Sequence, residues 1–336
     1  MKILVIGGSG FLGRTYVKEA MERGYQVTTF NRGRSGTDVP GVEAIRGDRE
    51  VRADLERLVE GRTWDIVIDT SGYVPRVVGE SARVVSGHAP TYVFVSTISA
   101  LKGFPDEPIN EESPELWDCA PDAEPEDGDY GTLKAGCERA VEQGFDGTVL
   151  IIQAGLLLGP HENVARLPWW LTRISRGGRV LAPGDPGMPM QLVDVRDVVT
   201  FSFDQAEKGV ADRFVVTGPA GNATYGELLG WCKEATGSDA EFVWVADDFL
   251  TEREAGLFVE LPLWLPASMG SFWTAPTGRA EAAGLRARPI AETVRDTWEW
   301  LRQIPEDQRV YGTKMVHGMA PERERELLAA WEARSA

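Results

Sequence analysis

The sequence predicts an α/β protein: a doubly wound parallel sheet with helices on both faces, followed by a smaller C-terminal lobe. Three observations predict it. Short apolar runs of Ile, Val and Leu recur through the first half, amphipathic segments alternate with them, and a glycine-rich turn joins the first run to the first such segment.

Strands are expected over residues 3–6, 27–30, 42–46, 65–69, 92–96 and 149–153, because each run is short, rich in β-branched residues and bounded by turn-formers. Helices are expected between them over 13–23, 53–60, 76–86 and 130–143. After residue 155 the pattern loosens, and Pro, Gly and Trp punctuate shorter elements. Residues 191–206 and 213–217 return to helix and strand character, and 225–236 and 290–303 read as amphipathic helices. The expected organisation is a nucleotide-binding part over 1–155 plus about 191–218, a substrate lobe over 156–190 and 219–315, and a C-terminal helix within 316–336.

The chain has 336 residues, 43% of them hydrophobic, enough for a large core. No run approaches the roughly 18 apolar residues of a membrane span, and residues 3–6 are too short for the core of a signal peptide. A cytoplasmic protein, monomeric or homodimeric and not bound to membrane, is therefore expected. Cys119, Cys137 and Cys232 lack paired or ligand spacing, and His88, His161 and His317 lie far apart, so neither a disulfide framework nor a metal site is expected. The net charge of −17 argues against nucleic acid as a partner, since that binding rests on Lys and Arg neutralising phosphates. Residues 105–129 hold eleven Asp or Glu, no Lys or Arg, and five prolines. They read as a solvated loop, with exclusion of anionic substrates as the functional alternative.

The turn Gly7-Gly8-Ser9-Gly10-Phe11-Leu12-Gly13 lies between the first strand and first helix. Glycines there allow a sharp bend, close approach of backbone amides to a pyrophosphate, and tight packing of helix on strand. The helix N-terminus adds unpaired N–H groups and partial positive charge. The chemistry points to a dinucleotide on a Rossmann-type unit.

A second constellation is Tyr130-Gly131-Thr132-Leu133-Lys134, at the start of the helix after the acidic segment. Four residues make about one turn, so Tyr130 and Lys134 share a face. A phenol of pKa about 10 transfers protons poorly near neutrality. A neighbouring ammonium favours the phenolate and makes the tyrosine a competent acid or base. The preceding strand ends in hydroxyls, Ser96-Thr97-Ile98-Ser99. Thr97, then Ser96, is the candidate to hold a substrate oxygen, against a simple turn-capping role.

Gly7, Gly10 and Gly13, Asp48 in Arg46-Gly47-Asp48-Arg49, Ser96 and Thr97, and Tyr130-x-x-x-Lys134 together resemble the extended short-chain dehydrogenase/reductase family, in particular its NAD-dependent epimerase/dehydratase branch. Gly177-Gly178, Pro183-Gly184-Asp185, 193–198 and Thr217-Gly218-Pro219 extend the likeness over roughly residues 1–235. The resemblance implies that Tyr130 transfers a proton, that Lys134 binds a ribose and tunes Tyr130, and that Thr97 or Ser96 positions the substrate. It places Asp48, with Arg49 beside it, at the adenine, and Phe11, Leu12, Thr70, Ser71 and Gly72 along the cofactor.

Two departures matter. Many NAD-binding relatives carry an acid about 20 residues past the glycine turn to accept from a ribose hydroxyl. Here Asn31 stands there, followed by Arg32 and Arg34, and a guanidinium suits a 2′-phosphate, so NADP is favoured over NAD. Ile152-Gln153-Ala154-Gly155 replaces the usual Arg-Pro-Gly, which points away from a typical nucleotide-sugar site.

The favoured function is an NAD(P)-dependent reductase or dehydrogenase of a small-molecule carbonyl or alcohol; Trp169, Trp170, Trp264 and Trp273 could line an aromatic-rich pocket, although packing within the lobe is the first expectation for any one of them. The alternatives are a nucleotide-sugar epimerase or dehydratase with retained NAD, using Arg166, Arg173, Arg176 and Arg179 for a diphosphate, and a non-catalytic dinucleotide-sensing or RNA-binding protein.

Overall fold

The computed structural model describes all residues except 35, 113, 311–315 and 336, so the ends of the lobe and terminal-helix expectations, at 315 and 336, lie outside the described residues. The chain separates into two units. The first comprises 1–157, 195–218 and 275–287, and the second 158–194, 219–274 and 288–336.

The first unit is built on a seven-stranded sheet. Its strands are β1 (Lys2–Ile6), β2 (Gln26–Asn31), β3 (Glu43–Arg46), β4 (Ile66–Asp69), β5 (Thr91–Thr97), β6 (Thr148–Ala154) and a last strand, Asp212–Val216. The order across the sheet is Asp212–Val216, β6, β5, β4, β1, β2, β3, and every neighbouring pair is parallel. The expected doubly wound, Rossmann-type sheet is present. Strand order reverses between β1 and β4, where ligands of such sheets bind beyond the carboxyl ends.

Alternation sorts the strand residues to two faces. Leu4, Ile6, Phe30, Val67, Tyr92, Phe94 and Ile151 pack with Leu55 and Leu58 of α2 (Arg52–Val59), Val78 and Ala82 of α3 (Pro75–Val85), and Cys137 and Ala140 of α4 (Tyr130–Gly144). Helix α1 (Phe11–Glu22) instead meets the helix Val195–Glu207: the Tyr16 hydroxyl donates to Ser202 Oγ at 2.7 Å, and Arg23 pairs with Asp204 and Glu207 at 2.9 and 2.7 Å. Residues 275–287 return to this unit, where the Arg279 guanidinium pairs with Asp212 at 2.7 Å.

The acidic segment is more ordered than a solvated loop. Glu111 accepts from the Arg279 backbone N–H at 2.7 Å, Lys102 meets Glu115 at 3.3 Å, and Phe104, Cys119 and Ala123 are buried. Its last acid, Asp129, caps α4 by accepting from Thr132 N at 2.9 Å.

The second unit pairs Arg179–Pro183 with Glu241–Val245 in parallel, and carries the helices Arg166–Ser175, Tyr225–Thr236, Ile290–Leu301 and Pro321–Ser335. Trp169, Trp170, Trp264 and Trp273 are all buried, Trp170 Nε1 donating to Pro262 O at 2.6 Å and Trp264 Nε1 to Asp247 at 2.8 Å. These indoles fill the interior of the unit, the packing role expected of them before a substrate lining. The apolar ring is worth most when dry, and its one N–H has found a partner in both cases.

Candidate functional site

The glycine turn folds as its spacing requires. Gly7 and Gly8 adopt φ of +114° and +94°, where side chains are strained. A β-carbon on Gly7 would lie 2.5 Å from Thr70 Oγ1, and one on Gly13 would lie 2.5 Å from Gly8 N. Gly10 is the N-cap of α1, with no side chain capping the helix and no acid in its first turn, which leaves the amides and dipole to an anion. The turn fits a pyrophosphate, with Phe11 and Leu12 beginning the helix behind it.

Thr70 Oγ1 and Ser71 Oγ both donate to Ile6 O, at 3.2 and 3.3 Å, and tie the end of β4 to the end of β1. Gly72 packs where a β-carbon would stand 2.6 Å from the Phe94 ring. These three residues, expected along the cofactor, lie at the carboxyl edge of the sheet next to the glycine turn.

Asn31 ends β2. Its Nδ2 donates to Gly7 O and to Asp38, both at 3.3 Å, and its Oδ1 accepts from Gly33 N at 2.8 Å and from Arg46. Arg32 extends to within 3.7 Å of Asp48 and is half exposed, and Arg34 is exposed. Asp48 accepts from Glu50 N at 3.1 Å, and its own N–H donates to Asp54 at 2.8 Å.

Arg49 does something other than the expected work beside the adenine. Its guanidinium is bidentate to Asp69 at 2.9 and 2.7 Å and also donates to Ser71 and Ser81. Asp69 is fully buried and accepts further bonds from Ser71 N and the Tyr92 hydroxyl. Burial alone would raise the Asp69 carboxyl, but the adjoining Arg49 charge and the hydrogen bonds hold it below its ordinary value.

Tyr130 and Lys134 open α4 as expected. Tyr130 is 52% exposed, whereas Lys134 is buried, its Nζ donating to Gly72 O at 2.9 Å and Val95 O at 2.7 Å. The ammonium also lies 4.2 Å from the centre of the Phe94 ring and 5.8 Å from that of Tyr73. Burial lowers its pKa, opposed by the acidic groups of Cys137, Asp69 and Glu138. Gly131 is what allows this helix to come so close: a β-carbon there would collide with the Ser99 carbonyl oxygen.

The two hydroxyl candidates part company. Thr97 Oγ1 accepts from Ser99 N at 3.2 Å and contacts Ser99 Oγ at 3.4 Å, capping a single turn beside Tyr130's helix. Ser96 points through the opposite face and donates to buried Glu138. Glu138 also takes two bonds from Gln153 Nε2 at 3.1 Å and pairs with Arg213 at 2.7 Å; burial, the largest influence, raises its pKa in spite of them. Ser96 therefore braces β5 against α4, a correction to its catalytic reading, because successive strand residues face opposite ways. Gln153, at the departure from the usual Arg-Pro-Gly, belongs to the same buried cluster.

The sequence reading missed Tyr73, Arg46, Asp38 and Asp69. Tyr73 is 49% exposed with its ring 6.4 Å from that of Tyr130. A signal existed for it, since it directly follows Ser71-Gly72. Among the described residues no group of His, Cys, Asp or Glu is arranged to hold a metal ion, and no helix is long and apolar enough to cross a membrane.

Residues 3–86 match the model of the NAD dependent epimerase/dehydratase family. The resemblance seen in the sequence is borne out. Sterol demethylase protein B of Methylococcus capsulatus is 28% identical over 262 residues, covering 70% of this chain and 75% of that protein. Two further relatives match only locally. A 2-alkyl-3-oxoalkanoate reductase of Stenotrophomonas maltophilia is 53% identical over 49 residues, 14% of this chain and 15% of its own length. The decarboxylating sterol-4-alpha-carboxylate 3-dehydrogenase of Mus musculus is 43% identical over 60 residues, 18% of this chain and 16% of its own length. Among solved structures, the UDP-glucose 4-epimerase of Thermotoga maritima, determined with UDP-glucose, aligns with a TM-score of 0.68 at 20% identity, over 90% of this chain and 99% of that one. That of Thermus thermophilus, in complex with NAD, gives 0.66 at 19%, over 91% and 100%. At such identities the structural likeness is one of fold. The relatives accord with an NAD-dependent enzyme of the extended short-chain dehydrogenase/reductase type.

Proposed function

We propose that this chain is an NADP-linked oxidoreductase that interconverts a carbonyl and an alcohol in a small organic molecule. The observation that carries the reading is the pairing of an exposed phenol with a dehydrated cation one helical turn away. Lys134 is held by the carbonyls of Gly72 and Val95 near the ends of β4 and β5, and Tyr130 is half exposed, where a substrate oxygen can reach it. A bound nicotinamide dinucleotide would supply or accept the hydride at the substrate carbon.

The chain's own part is the proton. In reduction the Tyr130 hydroxyl donates to the oxygen that becomes the alcohol, and the phenolate left behind is stabilised by the Lys134 ammonium until solvent reprotonates it. Thr97 is the group to orient that oxygen. Gly7, Gly10 and Gly13, with Phe11 and Leu12, would hold the pyrophosphate, Thr70, Ser71 and Gly72 the nicotinamide half, and Asn31, Arg32 and Asp48 the adenosine half. Arg32 and the absence of an acid at Asn31 support the 2′-phosphorylated cofactor.

The solved epimerases keep a second reading open, a UDP-sugar epimerase that retains NAD. Two observations favour the reductase. The four arginines available for a diphosphate are engaged by glutamates: Arg166 with Glu162 at 2.9 Å, Arg173 with Glu324 at 2.6 Å, Arg176 with Glu306 at 2.6 Å, and Arg179 with Glu332. In addition, the relatives matching by sequence include a reductase and a decarboxylating dehydrogenase.

The test is NADPH-dependent turnover on a panel of small aldehydes and ketones. Tyr130→Phe is expected to lower it by about 100-fold or more, the usual contribution of a positioned acid or base, with NADPH affinity retained. Undiminished turnover in that variant would end the proton-transfer role. NAD that copurifies and survives dialysis, with activity on UDP-sugars, would establish the epimerase instead.

A further inference from the structure

The arginine at the end of β3 has a partner that a phosphate can replace. Arg46 is the register partner of Asn31 across β2 and β3, so it stands beside the residue that many relatives reserve for an acid. Its guanidinium donates through Nη1 to Asn31 Oδ1 and through both terminal nitrogens to the Asp38 carboxylate, one of these at 3.1 Å. It lies against Gly33, where an added β-carbon would stand 3.0 Å from Arg46 Nε, at a φ of +68°. Through Asn31 Nδ2, bonded to Gly7 O at 3.3 Å, the group is linked directly to the glycine turn.

Asp38 is the acid missing from the end of β2, brought back seven residues later. It arrives already neutralised. The Arg46 side chain is 50% exposed and Asp38 23%, and an ion pair so open to water is weakly held. Arg32 is in a similar state, 3.7 Å from Asp48 and 49% exposed. A third arginine reaches the same loop: Arg14 Nη1 donates to Thr37 O at 3.2 Å, and its buried Nε has no acceptor among the described residues. A phosphate monoester brings nearly two negative charges and three acceptor oxygens, which match a guanidinium fork far better than one half-exposed carboxylate does.

We infer that Arg46 selects the 2′-phosphorylated dinucleotide by exchanging Asp38 for the 2′-phosphate. Asp38 is then the resident counter-ion that keeps Arg46 in place and that returns to it when the phosphate leaves. Without a 2′-phosphate the Arg46–Asp38 pair stays closed and the dinucleotide receives nothing from Arg46. This rests on the proposed preference for NADP and adds the residue pair that sets it.

The experiment measures dissociation constants of the full chain for NADPH and NADH by titration calorimetry, in wild type, Arg46→Ala, Arg46→Lys and Asp38→Asn. Arg46→Ala is expected to weaken NADPH by about ten-fold or more, as for loss of a charge-assisted bond, with NADH unchanged. Arg46→Lys should restore part of the loss, because a point charge replaces a fork. Asp38→Asn should tighten NADPH and leave NADH unchanged or weaker. Equal loss of both cofactors in Arg46→Ala, or NADPH affinity untouched by both Arg46→Ala and Asp38→Asn, would overturn the assignment. A wild type that prefers NADH but is turned toward NADPH by Asp38→Asn would refute the preference while upholding the exchange.

Discussion

Two arginines flank Gly47-Asp48, and each meets an aspartate in a different solvent. Arg49 and Asp69 meet in the interior, Asp69 without exposure and Arg49 with 12%, and Ser71, Ser81 and Tyr92 complete their hydrogen bonds. Arg46 and Asp38 meet at the surface. The inner pair binds the loop after β3 to the end of β4 and so fixes the distance between the residues proposed for the adenosine half and those proposed for the nicotinamide half. The outer pair is open to exchange. Identical functional groups become scaffold where water is excluded and a selective contact where it is not.

The inner pair is where the largest effect is expected. Arg49→Met leaves a buried carboxylate unpaired and should cost about 3–5 kcal/mol in urea unfolding at pH 7. The pH dependence should change sign as well. In wild type the Asp69 carboxyl lies below its ordinary value, so it adds stability above that value and loses it as pH falls through the folded pKa. Without Arg49 burial raises the carboxyl, which then adds stability only in acid and loses it as pH rises. The gap between the two proteins should therefore widen from about pH 4 toward neutrality; a gap constant with pH would contradict the buried pair.

A smaller change probes the proposed catalytic corner. Gly131→Ala must push α4 away from the Ser99 carbonyl, and overpacking of this kind costs about 1–3 kcal/mol. Turnover should fall further than stability predicts, because Tyr130 moves with the helix while Lys134 stays bonded to Gly72 and Val95. Equal turnover at saturating NADPH would show that Tyr130 tolerates the shift. Thr97→Val removes the cap on Ser99 N and should cost about 0.5–2 kcal/mol, measurable as a lower melting temperature, whereas Ser96→Ala should disturb the Glu138 cluster and leave substrate affinity unchanged. At the outer pair Arg46→Ala should leave the melting temperature where it was; a clear drop would make that pair scaffold too and erase the contrast with Arg49.

Much of this was legible in the sequence, and the rest was not for definite reasons. The apolar runs and the glycine turn foretold β1 to β6 and a doubly wound parallel sheet, because buried parallel strands leave a composition that survives reading one residue at a time. The Tyr130–Lys134 spacing foretold one helix face. The pairing of Arg49 with Asp69 was hidden, since it joins residues twenty positions apart through a sheet whose register no local pattern reports. Ser96 was a different failure. Strand alternation was available to send Ser96 and Thr97 to opposite faces, but it does not say which face holds α4. The tryptophans of the second unit left two readings open, with packing ahead of a pocket lining, because a large indole suits both a wet binding surface and a dry interior.

The division of the chain has a consequence for its synthesis. The sequence passes between the two units five times, and the last piece of the nucleotide-binding unit, residues 275–287, follows most of the other unit. A ribosome releasing the chain from its N-terminus finishes β1 to β6 early, yet the edge strand Asp212–Val216 and the helix Gly278–Ala283 that meets it emerge only after long stretches belonging elsewhere. Neither half can be cut out as one uninterrupted gene fragment. For this protein, a nascent chain halted near residue 200 carries the whole glycine turn and both proposed catalytic side chains, and still presents the open outer edge of β6 to whatever strand it meets first.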